Sequence, residues 1–227
     1  MDSRKTGLAL FIGGGAVAVI GAVLWAASRS SQKRLGDNAL TKTSKKADGM
    51  KLTHYSHPTM PIKKRIALLQ DLTWKSVQDP RMRKIALQVT SNCPGRDTNC
   101  ETRAIYDAIK RRVRYTGDVA PIKMGANGPT EGIDLFQSAY RTWDFAGGDC
   151  DDHSVLAATL LTLNGIQARF RVTAKNPDPR SSDWSHIYAI AGTPKNNPAK
   201  WVPIDTTVVG EAYNYDPPHG KRIDFTA

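Results

Sequence analysis

The sequence predicts an α+β domain in which helices come first and antiparallel strands follow. Three patterns carry this. Apolar residues recur at helical spacing between residues 61 and 113. A segment at 149–163 is apolar nearly all round. Short alternating runs fill residues 166–205, between turns rich in Pro, Asn and Gly. The chain has 227 residues, enough for one ordinary domain with appendages and too few for two full domains.

The first helix is expected to begin at Pro61, a residue suited to a first helical position, and to carry Ile66, Leu69, Leu72 and Trp74. Asp79-Pro80 opens a second, with Met82, Ile85, Ala86 and Val89 on one face. Thr98 and Glu101 have capping-box spacing ahead of a third. That helix turns Ile105, Ala108, Ile109 and Val113 inward and leaves Lys110, Arg111 and Arg112 to solvent. Residues 117–135 are rich in Gly and Pro and read as a long loop of the kind that lines sites. Asp149 to Leu163 reads as a buried helix, ended by Asn164-Gly165. Ile166, Ala168, Phe170 and Val172 then alternate with Gln167, Arg169, Arg171 and Thr173, and Trp184–Ala191 and Trp201–Asp205 are the next strands. The folded domain is expected over residues 61–211, with residues 212–227 as a C-terminal tail.

Charge divides the chain in a similar way. The formal net charge is +11, yet residues 28–67 hold ten Lys/Arg against Asp37 and Asp48, and residues 68–227 add only +2. The folded part is nearly neutral, which argues against a basic nucleic-acid groove on it.

After a short tip, residues 1–6, residues 7–27 (GLALFIGGGAVAVIGAVLWAA) are 21 consecutive uncharged residues. As a helix they span roughly the 30 Å hydrocarbon core of a bilayer. Ala18, Ala22 and Ala26 repeat every four residues, a face suited to a helix–helix oligomer in the membrane. A cleaved signal peptide is the rival reading, with Arg4 and Lys5 as its charged start and Ala26-Ala27-Ser28 as the cut site. The apolar stretch is longer than a usual signal core, which favours a retained transmembrane helix. Residues 28–60 lack periodicity and read as a basic flexible tether with a reach of roughly 30 Å. Beside an apolar span, such a run reads as a contact for anionic lipid or as a topology signal. Nucleic acid inside a virus particle is the alternative partner, but no stacking aromatics interleave with these charges before Tyr55. A single-pass protein of a bacterial inner membrane or a virion membrane is expected. The Lys/Arg excess after the span argues for a cytoplasmic domain, and a disulfide would argue for the opposite side.

The chemistry gathers at GGDCDDHS, residues 147–154. Two glycines permit a tight turn, and a helix starts at once, which puts Cys150 at a helix N-terminus. The partial positive charge there favours thiolate over thiol. A nucleophilic cysteine needs a histidine partner. His54 and His57 lie in the tether, His219 in the tail, and His153 along the wall of the same helix. His186, in WSHIYAIAG, shares a strand face with Trp184 and Tyr188. Asp205, in WVPID on the next strand, is placed to orient the imidazole. The flanking Asp149, Asp151 and Asp152 oppose a thiolate unless their carboxylates turn away. A metal site built from Asp149, Cys150, Asp152 and His153 mixes hard and soft ligands and is a poor one; no metal and no cofactor are expected. Cys93 and Cys100, in CPGRDTNC, read either as a disulfide closing a short loop or as two free thiols. Zinc held with His54 and His57 fits no standard spacing.

GGDCDDHSVLAATLLTLNGIQARFRV, DWSHIYAI and WVPIDTT, in that order, resemble the transglutaminase-like superfamily with its papain-like core. RRVRYTGD, residues 111–118, resembles the segment that precedes the site in that family. The chain is particularly similar to short transglutaminase-like proteins of phage and prophage gene sets, which carry the GDCDDH string. The resemblance covers about residues 61–210. It implies a buried helix carrying the cysteine, packed on an antiparallel sheet that carries the histidine and aspartate. It further implies Cys150 as nucleophile, His186 as general base and acid, and Asp205 as its orienting partner. Gln137 and Trp184 are candidates for an oxyanion or substrate contact. The family holds peptide hydrolases, amidases, crosslinking acyl transferases and inactive members. A membrane-anchored cysteine hydrolase acting on peptide or peptidoglycan amide bonds is therefore expected. The alternatives are a structural virion or membrane protein that keeps the triad, and an acyl transferase.

Overall fold

The computed structural model describes residues 61–116 and 136–227, and the backbone of 41–47, 50–56, 124–125 and 128–129. The chain divides into Met1–Leu40 and a unit spanning Thr41–Ala227. The expected membrane span at residues 7–27 and most of the loop at 117–135 lie outside the described residues. Among the described residues, no helix is long and apolar enough to cross a membrane.

The basic tether carries an antiparallel hairpin, β1 (Thr41–Ala47) paired with β2 (Met50–Ser56). It was expected to be irregular. The overlooked signal is Asp48-Gly49 between two strand-length runs, a pair that favours two-residue hairpins.

Helix α1 (Ile62–Val77) begins one residue later than expected, because Pro61 has an extended backbone and serves as the N-cap. Its inward stripe is Ile66, Leu69, Thr73 and Ser76, so Trp74 falls off the stripe and is 66% exposed. Helix α2 (Pro80–Val89) starts as expected: Asp79 accepts from the Arg81 N–H, and Pro80 needs no donor at the first position. Met82 and Ala86 are its buried residues.

Helix α3 (Thr98–Arg112) departs from expectation at both ends. The cap is Asp97, whose carboxylate accepts from Cys100 N at 3.0 Å, and not Thr98. Glu101 then has no capping role; it turns inward and pairs with Lys195 at 2.6 Å. At the other end Arg111 and Arg112 are exposed, but Lys110 sends its ammonium to the carbonyl oxygens of Val208 and Thr206, the latter at 3.4 Å. Cys93, ahead of α3, is joined by a disulfide to Cys100 in the first turn of that helix.

After β3 (Arg114–Tyr115), β4 (Met124–Gly125) and β5 (Gly128–Pro129) comes the short helix α4 (Ala139–Phe145), capped by Ser138. β6 (Gly147–Gly148) pairs in parallel with β3 and leads into α5 (Cys150–Leu163). Helix α5 is the centre of the molecule. It touches α1, α2, α3, α4 and the sheet, and Val155, Leu156, Ala157, Ala158, Leu160 and Leu161 are fully buried. Each large aliphatic side chain there contributes about 1.5–3 kcal/mol of burial.

The sheet has the order β10-β7-β8-β9, antiparallel throughout, from β7 (Ala168–Ala174), β8 (His186–Thr193), β9 (Lys200–Ile204) and β10 (Lys221–Thr226). Strand β10 lies in what the sequence suggested was a tail. It pairs with β7, Phe225 opposite Phe170 and Asp224 opposite Arg171. This explains a second departure. Arg171 and Thr173, on the polar side of the alternation, are buried. Arg171 makes two bonds to Asp224, at 2.8 and 2.9 Å, and one to Asp216 at 3.3 Å.

Candidate active site

The turn before α5 depends on close packing. A Cβ on Gly148 would lie 2.6 Å from the Asp152 Cβ. Asp149 caps the helix by accepting from Asp152 N at 3.1 Å, and Asp152 reaches back to Asp149 N at 3.4 Å, a reciprocal capping box. Cys150 is the first helical residue, half-buried and outside any disulfide. The helix's partial positive charge falls at its position and favours negative charge on the sulfur.

The three carboxylates around Cys150 are each engaged. Asp149 holds the cap. Asp151 pairs with Arg65 at 3.2 Å. Asp152 also accepts from Gln137, from the backbone N at 2.7 Å and the amide Nε2 at 2.5 Å. Donors therefore meet the charge that the sequence set against a thiolate. Gln137 is itself placed differently from expectation. Its amide nitrogen has two hydrogens, and it bonds both Asp152 and the Gly147 carbonyl, the latter at 3.2 Å. It does not line the cavity. It braces the turn ahead of Cys150 rather than offering a donor to an oxyanion.

His186 is the first residue of β8. The register Ala189↔Ile204, carried one step on, sets Asp205 across from Tyr188 and diagonal to His186 on the same face. The His186 Nε2 lies 2.6 Å from Asp205 Oδ2. The Asp205 side chain is wholly buried while that of His186 is 23% exposed. The other carboxylate oxygen of Asp205 accepts from Thr207 N at 3.0 Å and Thr207 Oγ1 at 2.7 Å. Burial pushes the Asp205 carboxyl up, but the bonds from His186 and Thr207 outweigh it and hold it below the usual carboxylate range. Tyr188 packs its ring against the imidazole at 5.5 Å and donates its hydroxyl to Asp216.

Cys150 and His186 line one cavity of about 580 Å³. Pro61, Ile62, Val172 and Ile187 give it an apolar wall, and Trp184 also borders it. The sequence reading did not single out Arg65, Asp151, Ser182 or Ser185 for this lining. Arg65 stood in the basic block, and only the packing of α1 beside α5 brings it there. Thr207 was legible as part of IDTT, a threonine two residues after an aspartate, which can bond the carboxylate locally.

The other candidates lie elsewhere. His153 is buried on α5 and bonds Thr206, its Nδ1 2.7 Å from Oγ1. His219 bonds the Pro217 carbonyl at 2.8 Å. His54 and His57 fall among residues whose side chains are not described. The Cys93–Cys100 disulfide is outside the cavity lining.

The chain is similar to a candidate cysteine protease from Cytophaga hutchinsonii, at 18% identity over 66% of this chain and 45% of that one, with a TM-score of 0.41. It is similar to a candidate protease from Parabacteroides distasonis, at 15% identity over 67% and 34%, with a TM-score of 0.40. It is also similar to a TGase, at 14% identity over 86% and 40%, with a TM-score of 0.36. The chain spans less than half the length of each. No curated protein matches it. The model of the transglutaminase-like superfamily core matches residues 83–206. That stretch takes in Cys150, His186 and Asp205 and covers more than half of the sequence, so the chain belongs to the transglutaminase-like superfamily.

Proposed function

We propose that this protein is a membrane-anchored cysteine hydrolase that cleaves amide bonds through an acyl-enzyme. The observation that carries the reading is the shared cavity: Cys150 at a helix N-terminus and His186 bonded to a buried Asp205 both line it. With Nε2 of His186 given to Asp205, Nδ1 is the nitrogen that takes the proton from the sulfur. The thiolate attacks the amide carbonyl carbon, a C–S bond forms, and the carbonyl oxygen becomes an oxyanion. The backbone N–H of Cys150 supports that oxygen. As the tetrahedral species collapses, the C–N bond breaks and His186 returns the proton to the leaving amine. Water then attacks the thioester, assisted by the same imidazole, and frees Cys150. Trp184 is the side chain we assign to holding the substrate's acyl portion.

The substrate class we propose is a peptide, including peptidoglycan stem peptides, within reach of a bacterial or virion membrane. Residues 7–27 anchor the chain and the basic residues that follow attract anionic lipid. A Cys93–Cys100 disulfide persists in oxidising compartments, which favours the outer face of that membrane.

Two experiments test this. Detergent-solubilised full-length protein is incubated with stem peptides and with a general peptide mixture, and the products are weighed by mass spectrometry. New amine and carboxylate ends, absent with Cys150→Ala, are expected; products joined to an added amine would identify an acyl transferase, and no Cys150-dependent product would refute the reading. Flotation with vesicles of phosphatidylcholine tests the anchor. Full-length protein should float and a version lacking residues 1–28 should not; a full-length protein that stays in the soluble fraction contradicts the anchor.

A further inference from the structure

In GGDCDDHS, the histidine is left without a part in the reaction above. His153 is 2% exposed and does not line the cavity. Its Nδ1 is 2.7 Å from Thr206 Oγ1, and the ring also meets the Arg114 backbone. Burial pulls the imidazole down to about 4, with a hydrogen bond to the Arg114 backbone and the charge of Asp205 opposing and Lys110 assisting. The group is therefore neutral near pH 7. A buried imidazole must be dried and its ring nitrogens satisfied, a cost that an aliphatic side chain avoids, so packing alone does not account for a histidine here.

Thr206 supplies the missing reason. It follows Asp205, and successive side chains of an extended segment point to opposite sides. Asp205 reaches to His186 on one side while Thr206 reaches to His153 on the other. The next residue of α5 does the equivalent for the neighbouring strand. The Ser154 hydroxyl sits between the carbonyl of Cys150, at 2.6 Å, and that of Ile187, at 3.2 Å, beside His186. Two successive residues of the helix that carries Cys150 thus clip the segments that carry Asp205 and His186.

We propose that His153 is a positioning residue of the site. Its bond to Thr206 sets the height of Asp205 and, through the Asp205–His186 bond, the distance of the imidazole from the Cys150 sulfur. This rests on the reading of Cys150, His186 and Asp205 as the catalytic centre.

The test is the rate at which iodoacetamide alkylates Cys150 in full-length protein across a pH series. Thr206→Val and His153→Leu should slow it about tenfold or more at mildly acid pH, since small misplacements of a reacting pair are costly. Thr206→Ser and His153→Asn, whose amide nitrogen can stand where Nδ1 stands, should restore most of the rate. Thr159→Val removes a buried hydroxyl bond to the Val155 carbonyl farther along the same helix; it lowers stability while leaving the rate near wild type. The proposal is overturned if Thr206→Val and His153→Leu react as fast as wild type, or if the conservative variants lose as much as the disruptive ones. A different result, in which wild type reacts no faster than His186→Ala, removes the catalytic reading itself and the proposal with it.

Discussion

At Asp205 three donors converge on a carboxylate removed from water. Its charge is what stabilises an imidazolium on His186, so Asp205→Asn keeps the shape and loses the effect. We expect that variant to slow product formation by about 10²-fold or more, measured on the same peptide mixture, with little change in KM. His153 acts on stability in a separate pH window. In the fold it titrates at about 4, against an ordinary value of 6.5. Between those two values the unfolded chain binds more protons than the folded one, so stability is complete above pH 6.5 and declines as pH falls towards 4. The expected loss is about 3 kcal/mol, at roughly 1.4 kcal/mol per unit. His153→Asn should flatten this slope, read as Tm between pH 7 and pH 4.5 by calorimetry; an unchanged slope would mean that other groups carry it. At this scale the patterns that single out Cys150, His186 and Asp205 are local, a helix start, a strand face and a strand end, and the structure brings His186 to Asp205 and to the cavity that Cys150 lines. The role of Gln137 was not legible, because its amide is committed to Asp152, fifteen positions away in sequence.

The element that organises the site is α5, and its N-terminal turn is the sensitive part. Gly148→Ala forces a Cβ into Asp152 and should cost about 1–3 kcal/mol by overpacking. Asp152→Ala should cost a similar amount, because it strips the partner from the Gln137 N–H groups and opens the capping box. Urea unfolding measures both; a change below about 0.5 kcal/mol for either would show that the turn is held by something else. The helix was readable from its apolar run, and the strands β7 to β9 from alternation. The elements that were misread are those whose partners are remote. Lys110 looked solvated within its own helix and is drawn to the carbonyls after Asp205. Asp97 displaced Thr98 as cap: its carboxylate accepts from Cys100 N, one residue before the Glu101 N–H that a Thr98 cap would have used.

For the molecule as a whole, the C-terminal strand is the least expected feature. Residues 212–227 resemble a tail in sequence, yet β10 covers the outer edge of β7 and supplies Asp224 to a buried Arg171, which Asp216, ahead of the strand, also meets. Ending the chain after Tyr215 should expose a sheet edge and leave that guanidinium without partners, at about 3–5 kcal/mol for the lost charge pairing alone. We expect the truncated protein to be insoluble or unfolded by circular dichroism; a folded, soluble product would show that β10 is peripheral. The sequence pattern KRIDFT was short and charged, and nothing local to it named β7 as its partner. Charge alone does not mark where the folded unit begins, since the basic excess runs on to Lys63, Lys64 and Arg65 inside α1.

We propose that α5 and His186 together hold Cys150 as a reactive thiolate. The most direct measurement is the pH dependence of Cys150 alkylation by iodoacetamide, comparing the full-length protein with His186→Ala and with Cys150→Ala as the blank. We expect rapid reaction that persists well below the range of an ordinary thiol, about pH 8.5, and is lost with His186. A Cys150 that reacts no faster than a free thiol, with a profile indifferent to His186, would contradict it.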